Sequence, residues 1–291
     1  MEHIKLQGEI RSDYAGFNSL VNFAARLASC EFEHIRVDMS GVRWMDANMC
    51  APFGGILYKL SRQLNTVSLT GLAPGMETIL SKNGFLSNYG REKTQDTYGT
   101  TIDYKRFEPK DGRYFGSYVE THLQGKGLPH MSAALLKKFR ESIFEIFSNS
   151  VIHSDTKFGI FSCGQFFPAK HRLDFSIVDL GVGIRENLRQ KAGLQFSAIE
   201  AINWATEGRN TTKTGPIPGG LGLKLLRDFI GINKGRIQIV SDKGYWEFAN
   251  GAVATSELAV PFTGTAVNIE INTADEHTYC LASELSPENV F

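Results

Sequence analysis

The chain has 291 residues, 42% of them hydrophobic and 21% charged, and its 31 basic and 31 acidic side chains cancel. That composition excludes a disordered chain, and the absent net charge removes any global pull toward nucleic acid or an anionic membrane. Cys30, Cys50, Cys163 and Cys280 have no paired spacing, no window approaches a membrane-spanning apolar length, and Met1-Glu-His-Ile-Lys lacks a secretory apolar core; a reducing cytoplasm is expected.

Short strand and helix patterns alternate through the first hundred residues. Ile4-Lys-Leu-Gln-Gly-Glu-Ile10 reads as a strand, Phe17 to Ala28 as a helix, and Ile35-Arg-Val-Asp-Met39 as a strand. A helix over Met49 to Leu64 follows, then a strand at Thr66 to Thr70 and a Pro74-initiated helix through Leu80 that stops near Gly84. Thr101 to Phe107 reads as one more strand. The charged Pro/Gly segment Glu108-Pro-Lys-Asp-Gly112 then suggests a boundary, giving a first domain over residues 1–107 and a connector over 108–128.

Beyond Pro129, Leu135, Phe139, Ile143 and Phe147 recur every four residues and give a long helix its core-facing stripe. Lys157 to Phe166 and Arg172 to Val178 read as neighbouring strands, and Gly235 to Val240 and Thr265 to Ile271 as two more, with helices near Ser197 to Ala205 and Leu221 to Ile230. This mixture predicts a second α/β domain over 129–275, a sandwich of one mixed sheet with helices on one face, followed by an acidic tail over 276–291.

Three signatures carry chemistry. On the long helix, Glu145, Asn149 and His153 stand at successive four-residue steps and so share one stripe. Asn149 offers an amide oxygen suited to Mg²⁺, Glu145 is placed as a general base, and His153 either donates to phosphate or packs. Asp179-Leu-Gly-Val-Gly-Ile184 ends a strand with a carboxylate that can accept from an adenine amine, beside two glycines that let the base approach backbone. Gly219-Gly-Leu-Gly-Leu223 precedes a helix whose first N–H groups and dipole would hold phosphates. Each signature alone is weak; their order along the chain points to an ATP site. Neither a P-loop nor a Rossmann glycine pattern occurs.

Residues from about Ser132 to Ile271 resemble the GHKL ATP-binding (Bergerat) domain of gyrase-type topoisomerases, mismatch-repair ATPases, heat-shock chaperones, sensor histidine kinases and anti-sigma-factor kinases. The resemblance implies Glu145 as the residue activating water or a hydroxyl, and Asn149 as the Mg²⁺ ligand. It implies Asp179, with Gly181 and Gly183, at the adenine, assisted by Thr265. It places Gly219, Gly220, Leu221 and Gly222 beneath the phosphates, and it likens Thr206-Glu-Gly-Arg-Asn-Thr-Thr-Lys213 to a lid contacting them through Thr212 and Lys213. The motifs Ile4 to Ile10, Val37-Asp-Met-Ser-Gly-Val-Arg-Trp-Met-Asp46 and Leu69-Thr-Gly-Leu-Ala-Pro74 resemble a STAS domain of the anti-sigma-antagonist type. There Asn48 stands where that family carries a phosphorylatable hydroxyl, with Ser40 as an alternative acceptor.

The functional expectation is a cytoplasmic regulator that binds Mg-ATP and hydrolyses it to drive lid closure and rearrangement of a domain or protein partner. A protein kinase acting on a separate partner and a non-catalytic ATP-gated module stay open beside it. A homodimer is plausible from the resemblance. Lys224 reads as an exposed helix lysine, Trp44, Trp204 and Trp246 as packing aromatics, and His171 as a strand-edge polar residue; no His/Cys group has zinc spacing.

Overall fold

A computed structural model describes residues 1–207 and 221–285, with only the backbone at 221 and 222. The architecture is mixed α/β. It begins with β1 (Glu2–Ile10), α1 (Tyr14–Arg26), β2 (His34–Met45), a 3-10 turn at Ala47–Met49 running into α2 (Cys50–Arg62), β3 (Thr66–Thr70) and α3 (Pro74–Lys82). The three strands form a parallel sheet in the order β1-β2-β3. Period-two alternation sends Ile4, Leu6, Ile35 and Val37 inward, while His3, Lys5, His34 and Arg36 face out. Asp13 starts α1 by accepting from the Gly16 N–H at 2.8 Å. In α2 every residue from Cys50 to Leu57 is buried, the mark of a helix covered on all sides.

The chain continues with β4 (Thr101–Phe107), α4 (Gly112–Leu123), β5 (His130–Met131), α5 (Ala133–His153), β6 (Ile160–Phe167), β7 (Arg172–Asp179), α6 (Gly183–Ala192), α7 (Ala198–Thr206), α8 (Leu221–Asn233), β8 (Arg236–Ala249), β9 (Ala252–Asn272) and β10 (Thr278–Tyr279). A five-stranded sheet has the order β4-β6-β7-β9-β8, and all four pairings are antiparallel. The expected mixed sheet is therefore corrected to an antiparallel one. Tight reversals explain it: residues 168–171 join β6 to β7, and Asn250-Gly251, both at positive φ, join β8 to β9.

Several segments differ from the sequence reading. The strand at Thr101–Phe107, expected to close the first domain, pairs with β6 in the second sheet. The expected connector carries α4, because Phe115, Tyr118, Val119 and Leu123 make an apolar stripe that packs beside α5. Helix α6 and residues 241–264 of the β8–β9 hairpin were not foreseen. Part of the expected tail is ordered: Thr278 and Tyr279 pair with His130 and Met131, and Ser132 N–H donates to the Tyr279 carbonyl at 2.8 Å.

Alternation in the second sheet divides its faces. Leu173, Phe175 and Ile177 of β7, with Val267, Ile269 and Ile271 of β9, join the core formed with α4, α5 and α8. Val178, Leu180, Val240 and Ala266 point to the opposite face and share a core with α1, α2 and the first sheet. Helices thus cover both faces of this sheet, not one. Close approach of α2 depends on Gly54, where an added Cβ would stand 2.3 Å from the Tyr104 hydroxyl of β4.

Polar side chains bridge this second interface. Asn48 is 1% exposed and its Nδ2 donates to Ser12 Oγ at 3.1 Å and Ser176 Oγ at 3.0 Å. Ser176 Oγ donates to Asn268 Oδ1, and Asn268 Nδ2 donates back to Ser12 Oγ at 2.8 Å. Nearby, Arg172 lies 2.9 Å from Asp174 and 3.5 Å from Asp46. No helix among the described residues is long and apolar enough to cross a membrane.

Candidate functional site

Helix α5 starts at Ser132, whose hydroxyl accepts from the Leu135 N–H at 3.1 Å. Its Leu135, Phe139, Ile143 and Phe147 stripe enters the core, and this fixes the rotation of the helix. Glu145, Asn149 and His153 consequently lie half-buried on an adjoining stripe. Asn149 and His153 line a cavity of about 150 Å³ together with Ser150, Ser154, Asp179, Gly183 and Thr265. Glu145 stands one turn before Asn149, outside that lining.

Opposite the helix, β7 ends at Asp179, which is 2% exposed. Asp179 pairs in register with Thr265 of β9, and Thr265 pairs in turn with Ser241 of β8, so a cross-strand row that starts at the end of β7 brings Asp179 and Thr265 to one wall with Ser241 beside them. The turn after Asp179 folds back on its carboxylate, with Gly181 N–H donating to Oδ1 at 2.9 Å. It also docks on α5: Val182 N–H donates to the Ser154 carbonyl at 2.7 Å. Gly181 is required there, because an added Cβ would stand 1.9 Å from that carbonyl oxygen. Gly264 at φ +84° brings β9 equally close, with its added Cβ 2.2 Å from the Asp179 carbonyl oxygen.

Burial raises the Asp179 carboxyl from its ordinary value of 3.8 to about 6, against the opposing hydrogen bonds from Gly181 N–H, Ser150, Thr265 N–H and Ser154. The remaining lining is largely apolar: Ile146, Ile184, Leu188, Ile239 and Val267 surround the polar groups, and Trp204 and Ala205 close one side. A planar, mostly apolar ligand carrying one amine donor matches that chemistry.

Five contributors were missed by the sequence reading: Ser241, Asn187, Trp204, Ser150 and Ser154. Ser241, 1% exposed, accepts from Ile184 N–H at 2.9 Å and donates to the Gly264 carbonyl at 2.9 Å, tying the glycine turn to β9. Asn187 of α6 lines the cavity and donates to the His153 carbonyl at 2.7 Å. Trp204, read as a packing aromatic, is part of the cavity wall. The sequence signal for Ser150 and Ser154 was a second four-residue spacing, one position after Asn149 and His153.

Thr212, Lys213, Gly219 and Gly220 lie outside the described residues, and Leu221 and Gly222 open α8 in backbone terms. Lys224 forms an exposed pair with Asp228 at 2.7 Å, the ordinary role of a helix-surface lysine. Among the described residues no group of three His, Cys, Asp or Glu side chains could hold a metal. A cation at Asn149 would therefore need oxygens from its own ligand and water, as Mg²⁺ bound to a triphosphate has. No protein-family model matches the chain, and no curated protein matches it.

Proposed function

We propose that the protein is a cytoplasmic regulator that binds Mg-ATP in a GHKL-type site and hydrolyses it, using the turnover to rearrange a STAS-like unit or a protein partner. The observation that carries this reading is the convergence of Asn149 and His153 with Asp179 and Thr265 on one cavity, from elements far apart in sequence. In this reading the Asp179 carboxylate accepts from the adenine amine, with Thr265 beside it. Asn149 would supply a protein oxygen for Mg²⁺, which would neutralise phosphate charge when bound. Glu145 takes a proton from the attacking water, and the N-terminal end of α8 faces the phosphates.

The second interface supports a regulatory use of turnover. Strands β7 and β9 carry Asp179 and Thr265 toward the cavity, and Ser176 and Asn268, three residues away on each strand, toward the first sheet's helices. In this reading a change at Asp179 and Thr265 reaches Asn48 and Ser12 through the same two strands. The buried Asn48 also argues against phosphate transfer to this position of the same chain; a kinase would need a separate acceptor.

The fate of γ-labelled phosphate tests the reading. Incubation with Mg²⁺ and ATP releases free phosphate from the wild type and not from Glu145→Ala. Bound but intact ATP in the wild type would overturn hydrolysis and direct the search to a protein acceptor.

A further inference from the structure

A second cavity, of about 310 Å³, lies on the opposite side of Leu180 from the site above, between α1, α2 and β9. Its volume reaches the lower end of the roughly 300–1,000 Å³ that small-molecule pockets occupy. Two helical stripes form its walls, Val21, Ala24 and Ala25 of α1 on one side and Ile56, Lys59 and Leu60 of α2 on the other, each at the three- and four-residue spacing of a single helix face and continued by Ala28 and Gln63 just past the helix ends. The alanines leave room where larger side chains would close the helices onto β9. The floor is apolar and buried, with Leu60, Leu180 and Phe262 at 4%, 3% and 3% exposure.

The mouth has the opposite chemistry. Lys59 reaches across it and donates to Thr263 Oγ1 at 3.2 Å, a neutral partner. Among the described residues Lys59 is the one cation in the lining, no acidic side chain lines the cleft, and Lys59 has no carboxylate partner.

We propose that this cleft binds a small anionic amphiphile, an aliphatic carboxylate whose chain lies on Leu60, Leu180 and Phe262 and whose head pairs with Lys59. The apolar floor supplies affinity and the Lys59 ammonium, whose partner is only a neutral hydroxyl, supplies selectivity for the acid over a neutral analogue. The concave shape, closed by two helices and a strand, favours a small molecule over a protein surface.

Isothermal titration of the full chain with octanoate and with octanol tests this without nucleotide, so it stands or falls independently of the ATP reading. Octanoate binds saturably at one site, roughly tenfold or more tighter than octanol, as loss of one charge-assisted contact implies. Lys59→Met removes the preference for the acid, and Ala25→Phe, a change on the exposed rim, blocks both probes while leaving the melting temperature near that of the wild type. Non-saturating octanoate binding, or an acid preference unchanged in Lys59→Met, overturns the proposal. So does light scattering that shows a dimer lost in Ala25→Phe with no octanoate bound, which would assign the cleft to a second copy of the chain.

Discussion

Replacing Asp179 by asparagine separates the cost of the site from its use. The carboxyl is raised from 3.8 to about 6 by burial, so the folded protein holds its proton longer than the unfolded chain does. The stability this group contributes is complete below pH 4 and is lost as pH rises through 6. At about 1.4 kcal/mol per pH unit, the ionised buried carboxylate costs roughly 3 kcal/mol at neutral pH relative to its protonated form. Asp179→Asn keeps an acceptor for the Gly181 N–H and removes the charge. Its loss of contact with the Thr265 N–H is independent of pH, so the informative quantity is a slope. Urea unfolding of both proteins between pH 5 and 8 should show the variant gaining about 1.5 kcal/mol on the wild type across that window, with Asp174 and every other titrating group common to both. The same variant should bind ATP far more weakly, since the acceptor for the adenine amine is gone. A stability difference that is flat in pH, or that falls as pH rises, would refute the placement of an ionisable Asp179 in a dry wall.

Asn48→Ala should destabilise the protein by about 2 kcal/mol in urea unfolding, because Ser12 and Ser176 lose a buried donor. Asn48→Ser, incubated with Mg-ATP, should show no added phosphate at that residue by mass spectrometry; phosphate there would mean that the buried interface opens in solution. Gly54→Ala should lower stability by roughly 1–3 kcal/mol in thermal unfolding, since its Cβ collides with the Tyr104 hydroxyl. Ser241→Ala should weaken ATP binding several-fold in titration calorimetry by freeing the turn at Ile184 from β9.

Much of the site was legible because its signals are local. Four-residue spacing on a helix placed Asn149 and His153 on one stripe, and the glycines after Asp179 announced the turn that docks on Ser154. Ser241 and Asn187 were not legible, since their roles depend on strand register and on a helix reached only through the fold. The strand Thr101–Phe107 was legible, but its partner sheet and α4 were not, for a related reason. Pro109 and Gly112 mark a turn in either arrangement, and only long-range pairing with β6 shows which sheet the strand before them joins. Nothing local in the sequence marks Ser12, Asn48, Ser176 and Asn268 as one buried cluster. They are buried because two units of the chain share a core, which the all-round apolar run from Cys50 to Leu57 hinted at through its paired glycines.

The central claim is that the cavity between α5 and β7 is a Mg-ATP site, and titration calorimetry of the full chain with ATP measures it most directly. The account predicts one saturable site whose affinity drops when Mg²⁺ is chelated and in Asn149→Ala, and which is abolished in Asp179→Ala. ATP binding that is absent in the wild type, or unchanged in both variants, would contradict it.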